Sequence, residues 1–133
     1  MAAILASLGE RLLPDNILVG RPQSIPHERA TQAILIIMSR YSEASLTLHD
    51  LAAQMRLSHT YLSDVLARCS GYGFLEHLHA VRVLRAAAQL YRGSDSITQI
   101  ARCCGYKREF QLARHFREYI GLSPSRFRRL IHK

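Results

Sequence analysis

Five side chains able to donate hydrogen bonds stand close together between positions 107 and 117: Lys107, Arg108, Gln111, Arg114 and Arg117. Only Glu109 and Glu118 oppose them in this neighbourhood. Sixteen of the eighteen basic residues in the chain are arginines, whose planar fork suits phosphate oxygens and guanine edges. The chemistry on offer is therefore recognition of anions. Covalent chemistry has no comparable signal, because the sequence contains no GxSxG, no HExxH and no glycine-rich phosphate loop. No enzymatic activity and no cofactor are expected. Cys69, Cys103 and Cys104 are odd in number and lack CxxC spacing, so neither a disulfide nor a zinc site is expected. Cys103 and Cys104 read as small core residues ahead of a glycine. His77 and His79 lie two apart, a spacing that does not share a helical face, and read as surface or boundary residues rather than metal ligands.

The elements that would position these donors come as a degenerate repeat. Leu51-Ala52 is followed by Leu62, Leu66 and Gly71, and Ile100-Ala101 by Leu112, Phe116 and Gly121. The pair-to-glycine spacing is 20 residues in the first copy and 21 in the second. Each copy reads as a short helix, a tight turn and a second helix, the pattern of a helix-turn-helix unit. In the first unit Thr47 stands as N-cap with Asp50 three residues on, ahead of a helix over Leu48 to Met55. Ser58 then opens a second helix that runs to a stop at Ser70-Gly71 and presents His59, Thr60 and Ser63. In the second unit Ser96 caps a helix over Ile97 to Cys104, Gly105 makes the turn, and the second helix covers Lys107 to Tyr119. The apolar residues of that helix, Phe110, Leu112 and Phe116, are expected to face inward. Phe74 to Tyr91 holds neither glycine nor proline, so one helix of about 27 Å should join the units. Pro124 starts a last short helix, and Pro26 sits in the first turn of a helix beginning near His27 that aligns Ile34, Leu35, Met38 and Tyr41. The expected fold class is all-α: two homeodomain-like helix-turn-helix subdomains (27–73 and 93–133) joined by a central linker helix (74–92), after an N-terminal arm (1–26) broken by Gly9, Pro14, Gly20 and Pro22.

Charge is divided as sharply as the repeat. The 133 residues carry a net +8, but residues 1–66 total −1 and residues 67–133 total +9. A polyanionic partner would meet the second half. The N-terminal Ala2 to Ala6 run, interrupted by Glu10 and Arg11, is too short to cross a bilayer and lacks a basic leader, so a cytoplasmic location without membrane association is expected.

These residues form an ordered set that resembles the DNA-binding domain of the AraC/XylS family of bacterial transcription regulators. The marks are Arg82-Val83 with Ala86, Ile97-x-x-Ile100-Ala101-x-x-x-Gly105-Tyr106, Leu112-x-Arg114-x-Phe116-Arg117, and Gly121-Leu122-Ser123-Pro124-Ser125-x-Phe127-Arg128. The resemblance covers Leu46 to Arg129. It implies a sequence-specific regulator that places two recognition helices in successive major grooves of double-stranded DNA, binding as a monomer, with RNA polymerase as a further partner. His59, Thr60, Ser63, Lys107, Arg108, Gln111, Arg114 and Arg117 are the DNA contacts it implies. Arg82 and Arg85 stand for either DNA contact or a structural pairing with Glu76 or a helix-end carbonyl. Arg126, Arg128, Arg129 and Lys133 stand for phosphate contacts or a solvated tail. Residues 1–26 are too few for the effector or dimerisation domain of larger members, so the chain resembles the short, free-standing type or a fragment of a longer one. One departure bears on function. Where the family carries a basic residue in the first recognition helix, this chain has Asp64, and only Arg68 follows near the helix end. The second unit should then dominate affinity. The rival reading, a protein-interaction module with weak or lost DNA binding, draws on Asp64 and the acidic first half and is opposed by the +9 of the second.

Overall fold

The computed structural model describes residues 24–132, so the arm up to residue 23 and Lys133 lie outside the described residues. Seven helices occupy the described residues: α1 (Ile25–Arg40), α2 (Leu48–Met55), α3 (His59–Ser70), α4 (Phe74–Arg92), α5 (Ile97–Cys103), α6 (Glu109–Ile120) and α7 (Pro124–Ile131). Local chemistry sets most of their ends. The Oγ1 of Thr47 accepts from Asp50 N at 3.2 Å while Thr47 N donates to Asp50 Oδ2 at 3.0 Å, a reciprocal cap on α2. Ser96 and Gln99 repeat the arrangement on α5, and single serine caps start α3 (Ser58) and α7 (Ser123). The first helix begins two residues earlier than the proline pattern indicates, because Ser24 caps it and Pro26 falls inside its first turn.

Two hydrophobic cores result, and α4 belongs to both. Its first half sends Phe74, Leu78, Ala80 and Val81 into a cluster with Ile34, Ile37, Leu51, Leu62 and Leu66. Its second half sends Val83, Ala86 and Leu90 into a cluster with Ile100, Cys104, Leu112, Phe116 and Ile120. Each helix-turn-helix unit thus leans on one half of a continuous helix.

Between the two cores lies a polar junction. Arg82, buried on α4, donates from Nε to Tyr41 O, the C-cap carbonyl of α1, and from Nη2 to Glu43 O in the turn beyond, both at 2.8 Å, and Glu43 O also accepts from Leu46 N. Its guanidinium carbon also lies 5.4 Å from the centroid of the Tyr106 ring, in the second unit. Of the two roles the sequence allows for Arg82, the helix-end carbonyl is the one observed. Gly105 completes the junction with φ +92; a Cβ there would collide with Tyr41 O and lie 2.9 Å from Arg82 Nε.

Three expectations are corrected. His77 is fully buried rather than at the surface, with Nε2 2.7 Å from Ser70 Oγ, because the end of α3 folds over the start of α4. Cys103 is exposed, and only its neighbour Cys104 is core. Phe110 does not face inward: it precedes the buried Leu112 by two residues and so lies about 200° around α6 from it.

Because Arg82 is buried and gives Tyr41 O a hydrogen bond, while Glu43 O also accepts from Leu46 N at 3.2 Å, Arg82→Leu should destabilise the protein by about 1–3 kcal/mol, chiefly through the Tyr41 carbonyl left without this donor. Urea unfolding of the two proteins measures this, and a loss below about 0.5 kcal/mol would remove the junction from the account of stability.

Candidate nucleic-acid interface

The helices α3 and α6 carry the sequence-predicted donors, and they correspond residue by residue: Ser58 with Arg108 at the N-cap, Leu62 with Leu112 in the core, Gly71 with Gly121 at the left-handed C-cap. The correspondence pairs Asp64 with Arg114. In α6, Leu112, His115, Phe116 and Ile120 are buried, which turns Arg114 and Arg117 to solvent with Gln111 half-buried beside them. Lys107 and Arg108 precede the helix as exposed turn residues rather than forming its first turn, since Arg108 is extended at φ −134, ψ 141.

Electrostatics separates the units further. Among the described residues only two ion pairs form, Arg40 with Glu43 and Arg68 with Asp64. Lys107, Arg108, Arg114 and Arg117 therefore remain free for an external anion. Of the two acids in this neighbourhood, Glu109 accepts from Thr98 Oγ1 through Oε2 at 2.6 Å, and Glu118, next to Arg117, forms no ion pair among the described residues. In the first unit Arg68 Nη2 lies 2.7 Å from Asp64 Oδ2, so the carboxylate and the late cation of α3 neutralise each other. Asp64 is thus half of an exposed pair rather than an isolated negative charge. His59, Thr60 and Ser63 are exposed, with the His59 ring 4.1 Å from that of His49 on α2, and Ser63 borders an apolar groove with Leu46 and Phe74.

The structure brings Lys107, Gln111 and Arg114 to the rim of one cleft of about 370 Å³ between the units, lined also by Ala44, His79, Arg82, Tyr106 and His115. His79 and His115 stack there at 3.8 Å, and His115 Nδ1 lies 2.9 Å from the Tyr106 hydroxyl. Linear spacing carries no sign of this pair, because one member comes from α4 and the other from α6. Burial pushes the His79 imidazole down to about 4, helped by His115, Arg82 and Arg114. Burial likewise lowers His115 and His77.

A helix-turn-helix domain family model matches residues 51–130, a span that runs from within α2 to within α7 and includes α3 and α6. The chain is 31% identical over 96 residues to the Msm operon regulatory protein of Streptococcus mutans, which is 72% of this chain and 34% of that protein. It spans about a third of the length of the curated relatives it matches. Among solved structures, the C-terminal domain of AraT, a response regulator from Geobacillus stearothermophilus, is similar with a TM-score of 0.75 at 27% identity, covering 83% of this chain and 88% of that one. The DNA-binding domain of AdpA, a global transcriptional factor solved in complex with a target DNA, is similar with a TM-score of 0.71 at 25% identity, covering 76% and 90%.

Two predictions follow from this geometry. Arg108 occupies an N-cap without making a side-chain cap hydrogen bond, whereas Ser58 in the equivalent place accepts from Tyr61 N at 3.1 Å. Arg108→Ser should therefore stabilise the fold by about 0.5–1 kcal/mol while weakening binding to duplex DNA, as measured by thermal unfolding and anisotropy titration. Unchanged DNA affinity would remove Arg108 from the interface. The histidines generate the second. Burial lowers all three below the unfolded value, so the stability they contribute is fully present above about pH 6.5 and is lost as pH falls below it, for His79 down to its folded value of about 4, because the unfolded chain takes up protons the folded one refuses. Melting temperature should fall through that window, and His79→Gln should flatten the fall.

Proposed function

The chain belongs to the AraC-type family of helix-turn-helix transcription regulators, and on that premise we propose that it binds duplex DNA sequence-specifically, with α3 and α6 entering successive major-groove segments and the second unit supplying most of the affinity. The observation that carries this reading is the set of unpaired donors on and before α6, against a neutralised Asp64–Arg68 pair on α3. Arg114, Arg117, Lys107 and Arg108 meet phosphates or guanine edges, and Gln111 reaches a base edge or phosphate from the cleft rim. His59, Thr60 and Ser63 make the weaker contacts of the first unit. The spacing supports it too, because α4 holds the units apart on a rigid rod and major-groove segments recur about every 34 Å.

Both units lie on one chain, so a monomer suffices for a site of about two helical turns. The protein acts in the cytoplasm as a binding protein without a catalytic step of its own, and RNA polymerase is the further partner through which occupancy of the site would alter transcription. Among the described residues no helix is long and apolar enough to cross a membrane.

Selection of bound sequences from random duplexes, followed by anisotropy titration, tests the reading. The logarithm of affinity should fall with the logarithm of salt at a slope of about −4 or steeper if five or more phosphates are contacted. Arg114→Ala should cost about 1–3 kcal/mol, more than Ser63→Ala, and relax preference in one half of the site only. Equal losses on specific and scrambled duplexes would make Arg114 a phosphate contact; no loss at all would overturn the dominance of the second unit.

A further inference from the structure

Phe110 is a large apolar side chain left bare amid the donor cluster. It is 62% exposed in the first turn of α6, and the core contacts of that helix are taken by Leu112, Phe116 and Ile120 on its other side. Arg114 and Arg117 stand four and seven positions on, along the same face, and Lys107 and Arg108 lie just before it. Its one acidic neighbour, Glu109, is engaged by Thr98. An apolar partner surface would have to strip water from these unpaired cations in order to cover the ring, at a cost of several kcal/mol per buried charge. A polyanion that itself exposes an apolar group meets both demands. On the floor of the major groove that group is the thymine C5-methyl, and the first turn of a recognition helix is the part that reaches base edges.

Resting on the duplex-DNA reading above, we propose that Phe110 packs on the C5-methyl of a thymine and makes that base pair a specificity position of the half-site bound by the second unit. The equivalent position in the first unit is Thr60, a small side chain on the matching turn, so the two half-sites would differ in this respect. Phe110 thereby adds an apolar readout to the hydrogen-bonding set of Arg114 and Gln111.

Uracil lacks only the methyl group, which makes the test direct. With the full chain and the duplex recovered by selection, each thymine of the second half-site is replaced singly by uracil and affinity is measured for the wild type, Phe110→Ala and Phe110→Leu. One replacement should weaken the wild type about three- to tenfold and leave Phe110→Ala nearly unaffected, with Phe110→Leu in between. The variants should melt with the wild type, since the ring touches no core. If no replacement matters to the wild type, or if the methyl effect persists undiminished in Phe110→Ala, the assignment is overturned while the DNA reading stands. If the free wild type is dimeric and Phe110→Ala monomeric, the ring is covered by a second copy and the assignment is equally overturned. Should selection recover no sequence, the DNA reading itself falls, and the inference with it.

Discussion

Arg82 joins what the two cores by themselves leave separate. Each helix-turn-helix unit packs on its own half of α4, and hydrophobic burial fixes distances more firmly than directions. A fork with two 2.8 Å hydrogen bonds to the end of α1, stacked against Tyr106 of the second unit, adds the direction. The space for that fork exists only because residue 105 has no Cβ. Glycine there therefore serves two ends, a left-handed turn within the second unit and the close approach of α1 to that turn. Two recognition helices can address one rigid duplex only if their separation and mutual orientation are both held, and in the proposed complex Arg82 would serve that end through its contacts with Tyr41, Glu43 and Tyr106.

The internal repeat also has a division of labour. The first unit has the better-capped recognition helix, with Ser58 at the N-cap, and carries no uncompensated cation on α3. In the second unit Arg108 replaces that cap and Arg114 replaces Asp64, so local helix stability is exchanged for free donors. Phe110 belongs with them, since a ring left 62% exposed contributes little of its hydrophobic burial to the fold. Features that a folding argument alone would remove accumulate in one unit and on one helix.

How far the sequence foretold this depends on the range of the interaction. Caps are local: Thr47 with Asp50, Ser58, Ser96 and Pro124 mark helix starts that the structure keeps within a residue or two, and the repeated Leu and Ile positions are the ones that are buried. What depends on two elements meeting was not legible. His77 is buried because α3 folds back over α4, and the His79–His115 stack joins residues 36 positions apart. Phe110 differs from the expectation for a smaller and local reason: an i, i+2 spacing puts it about 200° around the helix from the buried Leu112, so its apolar character and the helical period disagree and the period decides.

The cleft between the units brings these strands together. Its wall holds Arg82 and Tyr106 from the junction, its rim holds Lys107, Gln111 and Arg114, and the stacked His79–His115 pair lies between them. Any backbone phosphate that approached the rim would place negative charge beside two imidazoles that burial keeps neutral, and such a charge favours protonation. The residues that join the units, Arg82 and Tyr106, therefore line the same cleft as the residues proposed to receive the ligand.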